Sequence, residues 1–173
     1  KIMANHMADS VATIPHFTFV DDADVTELLK LRAFLKSRYN EEVKITLMPL
    51  LIKALSLSIS AFPIVNSRVD GDFTELTYLA SHNIGVAVDG KTGLLVPNIK
   101  DVQQRSIIDI AHEVTRLTDA ARSGVINPAD LKDGTITISN IGAIGGISAS
   151  PIINKPEVAI VALERVLAYE NGD

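Results

Sequence analysis

Apolar positions recur along this chain with two different periods, and the places where the period changes mark its elements. In "DDADVTELLKLRAFLKSRY" the residues Val25, Leu28, Leu29 and Leu35 fall near one side of a 3.6-residue repeat, which predicts an amphipathic helix. Phe17 to Val20, just before it, reads as a strand feeding that helix. "TLMPLLIKALSLSISAFP" is apolar around most of its circumference and predicts a buried helix, with Thr46 at a capping position, Pro49 tolerated in the first turn and Pro63 after the end. "DFTELTYLASHNIGVAVDGKTGLLVPNIK" offers three short β-rich runs, with "DGKTG" as the turn between the last two. The helical period returns at Ser106, where Ser106 and Asp109 are spaced as a capping box and Gly124 is placed to stop the helix. "NPADL" predicts a short helix with Pro128 at its first position, and strands follow at "TITIS" and "EVAIVALERV". Lys1 opens a further helical stretch.

Mixed strand and helix signals, with no internal repeat, low-complexity linker or domain boundary, predict one α/β layered domain over residues 1–173. With 47% hydrophobic residues the chain can bury a substantial core. The net charge of -5, the lack of a run of five like charges and the 5% aromatic content argue against a nucleic-acid groove. No apolar run is long enough to span a bilayer, and the amino terminus lacks a signal-peptide core, so a soluble protein is expected, with no membrane partner. Cysteine is absent, which removes disulfides, thiolate metal sites and a cysteine nucleophile together. Any thiol chemistry must use a thiol carried by the substrate. His6, His16, His82 and His112 lie far apart without metal-ligand spacing and are expected to be structural; no metal is expected.

"TITISNIGAIGG", Thr135 to Gly146, changes character halfway, from strand-like alternation to a glycine-rich loop. Gly142, Gly145 and Gly146 do not have the spacing of a dinucleotide fingerprint. Without a Cβ they let a ligand or another backbone come close, as a strand exit lining a channel requires. Ser139 and Asn140 stand at the mouth of that turn. They can offer a hydroxyl and an amide to whatever approaches, or equally cap the loop's own backbone.

Five stretches, "IPHFTFVDDADVTELLKLR", "FPIVNSRVD", "SHNIGVAVDGKTGLLVPNIKD", "LKDGTITISNIGAIGG" and "PIINKPEVAI", together resemble the catalytic domain of the dihydrolipoamide acyltransferases, the E2 core components of the 2-oxo acid dehydrogenase complexes. The resemblance runs in order from Lys1 to about Tyr169. It implies a chloramphenicol acetyltransferase-like α/β (α+β layered) fold, a mixed sheet flanked by helices, assembled as a homotrimer within a larger cubic or dodecahedral core. It further implies a channel between subunits, which coenzyme A enters from one end and a dihydrolipoyl arm from the other. The acyl group passes from the lipoyl thiol to the coenzyme A thiol. The lipoyl group is carried on a separate domain, the E1 and E3 components are the partners, and the setting is the bacterial cytoplasm or the mitochondrial matrix.

By the same resemblance, Ser139 matches the serine that donates a hydrogen bond to the tetrahedral oxyanion, and Arg32, Thr46, Asp89, Ser139 itself and Asn140 match coenzyme A-contacting positions. Each has a plainer role open to it: a solvated helix face for Arg32, a helix cap for Thr46 and the start of a turn for Asp89. Thr118 falls where a relative carries glutamine and is not assigned. The family's Asp-His-Arg motif, which supplies the general base, belongs after the region matching "EVAIVALERV", and these residues stop before it. The catalytic histidine is therefore expected outside these residues, which lack that carboxy-terminal segment and are expected to be inactive alone. "SNIGAIGG" and "IPHFTF" resemble branched-chain or acetyl-transferring members more than succinyltransferases, with a slight lean to branched-chain. The alternatives are a scaffold without turnover and a free-standing acetyltransferase acting on a small hydroxylated acceptor.

Overall fold

A computed structural model of the protein describes residues 2–39, 41–91, 93–141, 150–164 and 166–167. In chain order the elements are helices α1 (Ile2–Thr13), α2 (Thr26–Tyr39) and α3 (Met48–Ala61), then strands β1 (Ser67–Val69), β2 (Leu76–Tyr78), β3 (Ile84–Val86), β4 (Val88–Gly90), β5 (Gly93–Leu95) and β6 (Asn98–Ile99). Helix α4 (Ile107–Ser123) and strands β7 (Ile136–Asn140) and β8 (Ile160–Leu163) follow. Among the described residues the central sheet runs in the order β6-β3-β7-β8. β6 pairs antiparallel with β3, while β3, β7 and β8 are parallel, with Val86 opposite Ile138 and Ser139 opposite Ala162.

The register follows from burial. All three residues of β3 and the first three of β7 are buried, as expected for strands covered on both faces. Ile52 and Ile59 of α3 and Ile110 and Leu117 of α4 join Ile84, Ile99, Ile136 and Ile138 in one apolar cluster, each at most 1% exposed. Burying each such side chain is worth about 1.5–3 kcal/mol, so this layer holds the sheet to its helices. A smaller cluster, Val43, Ile45, Leu50 and Ala111, receives Leu28, Leu35 and Tyr39 from α2.

Helix α4 begins and ends as its sequence predicts. Ser106 Oγ accepts from the Asp109 N–H at 3.1 Å, Asp109 Oδ2 accepts from the Ser106 N–H at 3.1 Å, and Gly124 closes the helix at φ 79°. Pro128 opens a short 3₁₀ turn over Pro128–Leu131, capped by Asn127.

Other expectations are corrected. Phe17 to Val20 form no strand, because they have no ladder partner among the described residues; Phe17 is 90% and Phe19 79% exposed. Thr46 does not cap α3: the cap position is Leu47, in helical conformation and without a side-chain cap. α3 is not buried all round, since Leu57 is 63% exposed on its outer side. The three β-rich runs become five strands, β2 to β6, because Ala87 separates β3 from β4 and Val96–Pro97 separates β5 from β6. The last strand is restricted to Ile160–Leu163.

Candidate functional site

Strand β7 carries its side chains from core to surface in five residues. Ile136, Thr137 and Ile138 are buried, Ser139 is half-buried and Asn140 is exposed. The change occurs at the sheet's carboxyl end, where ligands gather in α/β folds. No hydrogen bond of the Ser139 hydroxyl is present among the described residues, so it stands available as a donor. Gly142, Gly145 and Gly146, predicted to open the space beside it, lie outside the described residues.

Asp89 approaches the same end of the sheet. The Ala87 N–H donates to the Ile138 carbonyl at 3.1 Å, so β3 continues alongside β7 into β4. Asp89 lies exposed within β4, opposite Leu94, and is not the first residue of a turn. The turn is tighter than "DGKTG" predicts, with β4 ending at Gly90 and β5 starting at Gly93.

Arg32 and Thr46 belong to a second neighbourhood, beside the small cluster where α2 meets the start of α3. Both are half-buried. The Arg32 Nε is buried without a hydrogen-bond partner, an arrangement that costs free energy unless a ligand accepts from it. Thr46, relieved of capping, also makes no side-chain hydrogen bond among the described residues.

An open groove of about 2420 Å³ is lined by Leu29 of α2, by Leu47, Met48 and Leu51 at the start of α3, and by Asn140 at the end of β7. Arg32 stands one helical turn beyond Leu29, and Thr46 immediately precedes Leu47. The exposed segment Pro15 to Val20 forms another side of the groove. Its volume exceeds the 300–1,000 Å³ or so of a pocket enclosing one small ligand. Of the predicted residues, Asn140 lines the groove, Ser139 precedes it on β7, Arg32 and Thr46 are neighbours in sequence of lining residues, and Asp89 is not among the residues that line it.

Three of the four histidines are engaged elsewhere. His82 is buried, its Nδ1 within 2.8 Å of Ser56 Oγ, and burial first and the Lys53 charge second lower its pKa. His6 Nε2 meets Asn154 Oδ1 at 3.2 Å, and His16 Nε2 accepts from the Ile153 N–H at 3.0 Å. His112 is exposed on α4. A residue that periodicity did not single out is Glu157, 3% exposed behind β7, where burial pushes its carboxyl up to about 7. Its position in "KPEVAI", a charge at the threshold of an apolar strand, was the available signal.

A mixed sheet flanked by helices, whose strand β7 ends in Ser139 and the groove-lining Asn140, defines an α/β protein with an open groove at the sheet's carboxyl end. Comparison with known proteins supplies the family. Residues 1–171 match the model of the 2-oxoacid dehydrogenases acyltransferase catalytic domain, and the chain belongs to this family.

The chain is 48% identical, over all of its length, to the mitochondrial lipoamide acyltransferase component of the branched-chain alpha-keto acid dehydrogenase complex of Mus musculus, of which it covers 36%. It is 38% identical to the dihydrolipoyllysine-residue acetyltransferase component of the pyruvate dehydrogenase complex of Bacillus subtilis, over 96% of this chain and 38% of that one. It therefore spans little more than a third of these relatives. Among solved structures, the dihydrolipoamide acetyltransferase of Azotobacter vinelandii, whose catalytic mechanism has been probed at a serine, a histidine and an asparagine, superposes with TM-score 0.94 at 35% identity, covering 99% of this chain and 71% of that one. The cubic core of a pyruvate dehydrogenase multienzyme complex gives 0.91 at 36% identity, over 95% and 68%.

Proposed function

We propose that this chain forms the catalytic core of a dihydrolipoamide acyltransferase, which moves a branched-chain acyl group from a dihydrolipoyl arm to coenzyme A. The observation that carries the proposal is the Ser139 hydroxyl, without a hydrogen-bond partner among the described residues, at the end of a buried strand in a chain of this family. Coenzyme A and the acyl-dihydrolipoyl group are both substrates, so both sulfurs arrive from outside a cysteine-free chain.

In this reading a general base takes the proton of the coenzyme A thiol, which is weakly nucleophilic at neutral pH. The thiolate attacks the thioester carbonyl, and the resulting oxyanion accepts a hydrogen bond from Ser139. Collapse expels the lipoyl thiolate, which recovers the proton from the base. His6, His16 and His82 are held in other contacts and His112 lies exposed on α4, so the reading takes its base from a histidine outside these 173 residues. Arg32, whose buried Nε has no hydrogen-bond partner among the described residues, suits a phosphate group of coenzyme A, and Thr46, Asp89, Ser139 and Asn140 are taken as its further contacts.

The branched-chain assignment is supported by identities of 45–49% to four mitochondrial branched-chain relatives; the branched-chain components of Pseudomonas aeruginosa and Pseudomonas putida, at 39% and 36%, stand level with the 38% of the Bacillus subtilis acetyltransferase component. The exposed apolar side chains of Phe17, Phe19 and Val20 favour burial against further subunits, in keeping with a homotrimer inside a larger core that serves E1, E3 and lipoyl domains.

In the full-length protein, Ser139→Ala is expected to lower kcat by about 10²–10³-fold, with the Kd of coenzyme A nearly unchanged, because the oxyanion exists only after attack. Unchanged turnover would remove Ser139 from the mechanism. S-isobutyryl-dihydrolipoamide is expected to give a higher kcat/KM than the S-acetyl compound, and the reverse order would assign the chain to acetyl transfer.

A further inference from the structure

Behind β7, on the side of Thr137, the molecule buries a carboxyl group that the transfer reaction does not use. Glu157 Oε2 accepts from Thr137 Oγ1 at 2.7 Å, and Oε1 accepts from Asn154 Nδ2 at 3.1 Å. Asn154 Oδ1 in turn meets His6 Nε2 on α1 at 3.2 Å. Two further contacts tie the same loop to α1: Ser10 Oγ donates to the Ile153 carbonyl, and Lys155 pairs with Asp9 at 2.8 Å. One carboxyl thus joins the amino-terminal helix to the middle of β7.

The backbone around it is shaped to keep this contact. A Cβ on Gly85 of β3 would lie 2.9 Å from Thr137 Oγ1, and one on Gly134 would lie 3.2 Å from Glu157 Oε1. Thr137 and Ser139 are two residues apart on one strand and point to the same side of the sheet. Whatever fixes the height of Thr137 therefore fixes that of Ser139. Glu157 also stands three residues before Ile160, the residue of β8 that pairs with Thr137, so it holds the entry of one strand to the body of the next.

We propose that Glu157 is a positioning residue for Ser139: through Thr137 it sets the position of β7, and through Asn154 it locks α1 to the same point. The proposal rests on the acyltransferase reading for its kinetic consequence. The groups that line or adjoin the cavity of about 220 Å³ beside Glu157 are His6 from α1, Arg68 from β1, and Asp133 and Lys155 from the loops, with Asp9 of α1 paired to Lys155. Burial outweighs the two hydrogen bonds and the Arg68 charge, so the carboxyl titrates close to neutrality. Glutamine preserves the network in neutral form, donating to Thr137 Oγ1 and accepting from Asn154.

The test uses the full-length protein with Thr137→Val, Glu157→Gln and Glu157→Ala. Thr137→Val, close in shape, and Glu157→Ala are each expected to lower kcat roughly 10- to 10²-fold, the scale of a small misplacement of a catalytic group, with the KM for coenzyme A unchanged. Glu157→Gln is expected to keep the wild-type kcat at pH 6 and to lose the part of the kcat–pH profile near 7 that Glu157 contributes. Amide hydrogen exchange, read without substrate, is expected to quicken in α1 and β7 together in Glu157→Ala and to stay slow in Glu157→Gln. Wild-type kinetics in Thr137→Val, or exchange in α1 and β7 that Glu157→Ala leaves unchanged, would overturn the proposal. If the wild-type protein shows no acyl transfer, the acyltransferase reading fails, and the exchange experiment decides the clamp by itself.

Discussion

Single residues take their chemistry from what the fold leaves unpaired. Ser139 and Arg32 are ordinary residue types, and their sequence positions are compatible with a loop cap and a solvated helix face. The structure gives the Ser139 hydroxyl no partner among the described residues and buries the Arg32 Nε without one. Arg32→Ala is expected to raise the Kd of coenzyme A by about tenfold or more, with kcat at saturation nearly unchanged, since a contact far from the thioester contributes equally before and during the reaction. Isothermal titration with coenzyme A measures it, and an unchanged Kd would detach Arg32 from the ligand. Thr46 shows the opposite movement: the sequence gives it a capping role, and the structure passes the cap position to Leu47.

Elements show how far local rules reach. Helix α4 has its start, its stop and its apolar face written in consecutive residues, because a capping box and a glycine in the left-handed region act over one turn of chain. Ser106→Ala is expected to cost about 1 kcal/mol in urea denaturation, with an unchanged m-value. Strands behave differently, because a ladder needs a second strand that local sequence does not supply. "FTFV" has the composition of a strand, yet these residues have no ladder partner among the described residues and stay exposed, whereas "TITIS" finds β3 on one side and β8 on the other. The splitting of "NIGVAV" at Ala87 has the same origin: pairing shifts there from the central sheet to the β4–β5 hairpin.

At the scale of the whole molecule, stability and pH are linked through Glu157. The fold raises its carboxyl from the ordinary range near 4.5 to about 7, so the native state holds that proton more tightly than the unfolded chain. Its contribution is fully present below about pH 4.5 and is lost as pH rises through 7, a span of up to about 3 kcal/mol. The aspartates Asp109 and Asp130 run the other way. Hydrogen bonds, to Ser106 and Arg116 respectively, lower their pKa values, so their contributions are lost only in more acidic solution, as pH falls below 4. Glu157→Gln is therefore expected to flatten the fall in Tm between pH 4.5 and 7 while leaving the acid limb in place. A thermal melt series at fixed ionic strength checks it; an unaltered slope would mean that Glu157 does not carry this linkage.

The sequence by itself determined the types of the helices and of the central strands, the α4 caps, the placement of Ser139 at a strand's end and, through five ordered stretches, the family, but not the state of Phe17 to Val20. These are carried by neighbouring residues or by long matched patterns, and they need no knowledge of what packs on what. Only the tertiary structure decided which polar groups keep a partner: that Arg32 has a buried nitrogen without one, that Glu157 lies in contact with Thr137, and that His6 and His16 belong to the docking of the amino-terminal segment. The physical reason is distance along the chain. Glu157 and Thr137 are twenty residues apart and His6 and Asn154 are 148 apart, and such pairs meet only when the sheet and the helices on it have closed around them.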